Sequence, residues 1–250
     1  VAATGTTTMT RVVTTLNANR QAWDPDGEYA LYGFVRQPQT FPDVLLKSFS
    51  VSLPPEERII LGIELKGWYL LSKEREPSFR YTVTPDACAD ADLLVVVPWA
   101  LKNVLSGSPV VFEPYVVSAK EAAQLRNYYW QFCRNTEADT SIRTPSGVQP
   151  YPAKPDAIAD VPARDTGGNF GRLARAGVME DYKTRILQQP LCGISSSSWL
   201  DFFKSFTESS SPEDWTKAIA RLRAKLAGRK VQAEVSDPYL QILDIIERSL

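Results

Sequence analysis

The stretch RIILGIELKGWYLL, Arg58 to Leu71, is rich in β-branched and aromatic residues and predicts a strand. Side chains alternate across a strand, so Glu64 and Lys66 share one face while Ile63 and Leu65 take the other. An acid and a lysine on an otherwise apolar strand call for a reason, because burying an unpaired charge is expensive. Just upstream, FPDVLLKSF (Phe41 to Phe49) reads as the preceding strand, with Asp43 at its start directly after Pro42. If the two strands pair as neighbours, Asp43 approaches Glu64 closely enough to share a metal ion.

Working outward, strand-like segments span Glu28 to Arg36, Asp43 to Leu53 and Arg58 to Leu71, with Pro54-Pro55 between the last two. A helix is expected in MTRVVTTLNANRQAW, with Val12, Val13 and Leu16 on one side, before the Asp24-Pro25-Asp26-Gly27 turn. PDACADAD suggests a helical turn, and DLLVVVPW a strand buried on both faces. VVFEPYVV follows as a strand at an edge or with a break, because proline cannot donate to a sheet. Ser118, with Glu121 three residues later, forms a capping box for a helix. Leu125, Tyr128, Tyr129 and Phe132 recur at helical spacing and predict the face that packs on the sheet.

This order gives an α/β fold: a mixed β-sheet flanked by helices, with an αβββαβ core at roughly residues 9 to 135. From Thr140 to Gly171 the chain is rich in Pro, Gly, Asp and Arg without periodicity, which marks a functional or disordered stretch. Helices resume in FGRLARAGVMEDYKTRILQQ, where Gly177 is a natural break. ISSSS reads as a turn or helix start. SPEDWTKAIARLRAKLAG is capped by Ser211, and Ile219, Leu222 and Leu226 form its inner face. Asp237-Pro238 opens a last helix. The expected division is a core over 1–138 and a loop-rich, mostly helical region over 139–250, packed on the core.

Composition excludes several chemistries. The 250 residues contain no histidine, so no Ser-His-Asp triad, Cys-His pair or His-ligated zinc can be built. Metal chemistry must rest on carboxylates and carbonyls, which favour hard cations such as Mg²⁺. Cys88, Cys133 and Cys192 lie far apart and suggest neither zinc nor a disulfide framework. The apolar run Leu93 to Val97 is too short for a membrane span, and the opening residues lack a signal pattern, so a cytoplasmic protein without a membrane partner is expected. A net charge of −1 leaves any attraction to polyanions to local clusters.

Pro42-Asp43, followed by Glu64-Leu65-Lys66 twenty-one residues after the aspartate, resembles the PD-(D/E)XK nuclease signature of type II restriction endonucleases and their relatives. The resemblance implies that Asp43 and Glu64 bind Mg²⁺, that the Leu65 carbonyl adds an oxygen ligand, and that Lys66 orients or activates the attacking water. Such a set suits phosphodiester hydrolysis: a divalent ion lowers the pKa of water, and an ammonium stabilises developing charge. The bare triplet also reads as a strand-end salt bridge between Glu64 and Lys66.

On that resemblance the region over 139–250 is expected to serve DNA recognition or dimerisation, and two stretches within it suit DNA. Arg164, Asn169, Arg172 and Arg175, beside Gly167 and Gly168, have the chemistry to follow phosphates or read base edges. They equally suit a solvated loop with ordinary ion pairs. Lys217, Arg221 and Lys225 recur every four residues as a stripe that fits either DNA phosphates or plain solvent. The expected function is a Mg²⁺-dependent, site-specific endonuclease acting on double-stranded DNA as a homodimer. A repair or mobile-element nuclease of the same fold and a catalytically silent nucleic-acid-binding module are the alternatives.

Overall fold

The computed structural model describes the backbone of residues 2–54, 57–72, 74–205, 211–227, 240–241 and 243–244. The chain begins with α1 (Ala2–Ala18) and the short α2 (Arg20–Trp23). The strands β1 (Tyr32–Arg36), β2 (Val44–Ser48) and β3 (Ile59–Tyr69) follow. A helical turn at Pro85–Ala87 leads to β4 (Leu93–Leu101), then β5 (Pro109–Val111) and β6 (Tyr115–Ser118). These six strands form one sheet in the order β1-β2-β3-β4-β5, with β6 also paired to β4.

The sheet is mixed. Neighbours β1 and β2, β2 and β3, β4 and β5, and β4 and β6 are antiparallel. β3 and β4 run in the same direction: Gly62 bonds to Asp92 at their starts, and Leu70 to Trp99 at their ends. The expected break in VVFEPYVV is present, since the segment forms two strands, β5 and β6, on either side of Glu113-Pro114. β4 alternates buried and half-buried residues with none exposed, as a strand covered on both faces requires.

The chain divides into two compact units. The first comprises residues 1–66, 79–96 and 114–178, and the second residues 67–78, 97–113 and 179–250. The expected boundary after residue 138 does not fall on this division, because residues 139–178 belong with the first unit.

In the first unit, Phe34, Val44 and Leu46 form an apolar cluster, with Val13, Leu16 and Trp23 packed against it. Asn17 fixes α1 to β1 by pairing its side-chain amide with both the N–H and the C=O of Phe34. α3 (Ala119–Tyr128) starts where Ser118 Oγ accepts from the Glu121 N–H at 3.3 Å, so the expected cap is in place. Its last turn widens into a π-helical segment, Tyr129–Cys133.

The face that α3 turns inward differs from the one its apolar spacing predicts. Leu125, Tyr128 and Phe132 are exposed, while Ala119, Ala122, Ala123 and Arg126 are buried. Small alanines let the helix approach the Pro85–Ala87 turn and β6 closely, leaving no room there for larger side chains.

The stretch 140–171 is pinned rather than loose. It contains the small ladder of β7 (Ile142–Arg143) with β8 (Val161–Pro162). Backbone bonds run from Thr84 to Ile158, from Asp160 to Thr82 and from Tyr81 to Gly171.

In the second unit, α4 (Glu180–Leu187) follows a break at Gly177, whose φ of +69° suits glycine. The pair β9 (Pro190–Leu191) and β10 (Ile194–Ser195) leads into α5 (Ser196–Lys204), capped by Ser195. α6 (Pro212–Ala227) starts at Ser211, whose Oγ accepts from the Asp214 N–H. Ile219 and Leu222 are buried as expected, in a cluster with Trp199, Leu200 and Ile194. The expected helix opening at Asp237-Pro238 lies outside the described residues. Among the described residues, no helix is long and apolar enough to cross a membrane.

Candidate active site

The antiparallel register of β2 and β3 sets Val44 opposite Ile63 and Leu45 opposite Gly62. Extended by one residue, it brings Asp43 across from Glu64. The side chains join there: the Asp43 N–H donates to Glu64 Oε2 at 3.2 Å, and the Leu65 N–H donates to Asp43 Oδ2 at 2.9 Å. Lys66 Nζ lies 2.6 Å from Glu64 Oε1. The alternation of β3 therefore delivers Glu64 and Lys66 to one face, and the entry to β2 delivers Asp43.

Close approach of the two strands depends on Gly62. A Cβ at this position would lie 2.4 Å from Pro42 Cγ and 2.6 Å from Asp92 Oδ1, distances that no side chain tolerates. Asp92 Oδ1 accepts from the Gly62 N–H at 2.7 Å and from the Tyr151 hydroxyl at 3.2 Å. Its Oδ2 accepts from the Ala89 N–H. Asp92 is fully buried, and burial pushes its carboxyl above the ordinary range while these three donors oppose the shift. Neither Asp92 nor Tyr151 stood out in the sequence. Tyr151 belongs to the aperiodic stretch, and its contact lies 59 residues away along the chain.

Glu64 is 7% exposed. Burial raises its carboxyl above the usual range, and the charge of Asp43 pushes the same way. The Lys66 ammonium and the Asp43 N–H pull it back without cancelling the rise. A cation between the two carboxylates would relieve this repulsion. The donors are hard oxygens of the type Mg²⁺ accepts, and Mg²⁺ commonly uses only one or two carboxylates with water and phosphate oxygens completing its shell. Among the described residues, no group of three or more acidic, cysteine or histidine side chains is placed to hold a metal. A metal here would thus rest on Asp43 and Glu64, with the Leu65 carbonyl as the further ligand that the signature implies.

The candidate DNA residues fall into two groups. Arg164 and Arg175 are exposed, while Asn169 and Arg172 are half-buried. Arg175 donates to Asn169 Oδ1, and Arg172 Nε to the Gly168 carbonyl at 3.1 Å. Gly167 and Gly168 take φ of +76° and +63°, which lets this loop fold back on itself. Asn169 and Arg175 also line a cavity of the first unit. In the second unit Lys217, Arg221 and Lys225 are exposed on α6, with Lys225 Nζ bonded to Ser198 Oγ at 2.7 Å.

The largest electrostatic feature missed by sequence reading is Arg126. It is 1% exposed and pairs with the buried Asp160 at 2.5 Å. Its remaining N–H groups donate to the carbonyls of Tyr81 and Val83 and to Asn127 Oδ1. With every side of the guanidinium bonded, Arg126 ties α3 to the aperiodic stretch. Compared with known proteins, the chain matches no protein-family profile, no curated protein and no solved structure.

Proposed function

We propose that this protein is a Mg²⁺-dependent endonuclease that hydrolyses phosphodiester bonds in double-stranded DNA, of the PD-(D/E)XK type and acting site-specifically as a restriction enzyme does. The observation that carries the reading is the meeting of Asp43, Glu64 and Lys66 through three short polar contacts at the β2–β3 junction. A bound Mg²⁺ would lower the pKa of an attacking water and offset charge on the scissile phosphate. Asp43 and Glu64 hold negative charge at one place, and the Lys66 ammonium favours the ionised form of Glu64. Lys66 is the more exposed member of its ion pair, 24% against 9%, so its amine is the end within reach of solvent and of a phosphate oxygen. Restriction is preferred to repair because of the resemblance to the signature and the large region outside the core available for recognition, and a two-fold DNA site would be matched by a homodimer.

The test is cleavage of plasmid and phage λ DNA in Mg²⁺. Discrete bands support site-specific restriction, and a smear supports a repair-type nuclease of low specificity. Glu64→Ala and Lys66→Ala should each abolish cleavage while keeping the fold and DNA binding; full activity in either variant refutes the site. One observation favours a second reading. The Glu64–Lys66 pair is also what a purely structural salt bridge on a strand looks like, and DNA binding without any cleavage in Mg²⁺ would establish a silent binding module.

A further inference from the structure

A cavity of about 220 Å³ opens in the first unit beside the π-helical segment Tyr129–Cys133, away from any residue of the Asp43–Glu64–Lys66 set in its lining. Its wall carries Arg126, Arg134 and Arg175 with Trp130, Tyr129 and Asn169, and no lining residue is acidic. The charge of Arg126 is answered by Asp160. Arg175 is already engaged with Asn169, which leaves the Arg134 guanidinium in a wall that holds no carboxylate. Arg134 lies over the Trp130 ring, 3.6 Å from its centre, and makes no hydrogen bond or ion pair among the described residues. The Trp130 ring is 3% exposed, and its buried indole N–H has no acceptor. Leaving such a donor unmade costs free energy unless a ligand or water accepts from it. π-helical turns are rare and concentrate at functional sites, and this one sets the spacing that places Tyr129, Trp130 and Arg134 together in the wall.

We infer that this cavity binds a phosphate group, with Arg134 supplying charge-assisted hydrogen bonds and the Trp130 indole a further donor. Guanidinium forks match phosphate oxygens in geometry as well as charge. The volume is below the roughly 300–1,000 Å³ typical of drug-sized ligands, which suits a phosphate or a single nucleotide. The phosphate has two sources, the backbone of a bound DNA duplex or a free phosphate or mononucleotide. The inference does not depend on cleavage.

The test is calorimetric titration of the full chain, without Mg²⁺, with inorganic phosphate, a nucleoside 5′-monophosphate and a short DNA duplex. Arg134→Gln and Trp130→Phe are compared with wild type, and Arg134→Lys serves as a partial rescue. Circular dichroism melting checks that each variant is folded. Losing charge-assisted bonds should weaken binding about tenfold to hundredfold in Arg134→Gln, with a smaller loss in Trp130→Phe. Loss on the duplex alone assigns the cavity to a backbone phosphate, and loss on the small ligands assigns it to a free phosphate or nucleotide. If folded Arg134→Gln and Trp130→Phe bind all three probes as wild type does, or wild type binds none, the inference is overturned.

Discussion

Glu64 sits in the sheet with its carboxyl raised by burial and by Asp43, and this has a thermodynamic sign. A group whose folded-state pKa is raised holds its proton more tightly when folded. Its contribution to stability is complete below the ordinary glutamate range and is lost as pH rises through the folded value. Glu64→Gln cannot titrate. The stability of Glu64→Gln relative to wild type should therefore rise with pH across that window and then level off. Urea melts from pH 4 to pH 9 read this directly, and a gap that stays flat or shrinks would show that Glu64 is not held against its charge.

At the scale of elements, β3 was the most legible part of the chain. Its alternation follows from backbone geometry alone, and Glu64 and Lys66 two residues apart leave only one arrangement. The pairing of β2 with β3 was legible only as a condition, and its register, Val44 opposite Ile63, came from the structure. α3 was misread for a physical reason. Leu125, Tyr128 and Phe132 form a stripe at helical spacing, but Ala119, Ala122, Ala123 and Arg126 form a rival stripe, and periodicity cannot say which faces inward. The deciding partner of Arg126 is Asp160, 34 residues on, which no local pattern reveals. Beyond Tyr128 the π-helical turn also shifts the phase on which such counting relies. Removing one partner of a buried pair strands the other charge, so Asp160→Ala should destabilise the protein by about 3–5 kcal/mol. Denaturant unfolding checks this. A loss under 1 kcal/mol would mean that Arg126 is held mainly by its backbone carbonyl acceptors.

For the whole molecule, a net charge of −1 means that any attraction to a polyanion would have to come from placement rather than from total charge. The exposed Lys217 and Arg221 on α6 are a clear case. If both meet phosphates, the double variant Lys217→Ala/Arg221→Ala should bind all DNA sequences more weakly and lower the salt dependence of log K by about two. An unchanged slope would remove α6 from the interface. Composition had already narrowed the chemistry, since a chain without histidine cannot build any site that needs an imidazole. The cavity at Trp130 was not legible, because its wall is drawn from α3, its π-helical end and the 169–176 loop, segments that only folding brings together.

The path of the chain through its two units has a practical corollary. The backbone passes from one to the other at Lys66–Gly67, Ser78–Phe79, Val96–Val97, Glu113–Pro114 and Val178–Met179. Neither unit can be made by trimming an end. A fragment ending at residue 138 would discard Tyr151 and Asp160, orphaning Arg126 and removing a donor from Asp92. Exchanging either unit with that of another protein by a cut at one junction is therefore closed to this chain.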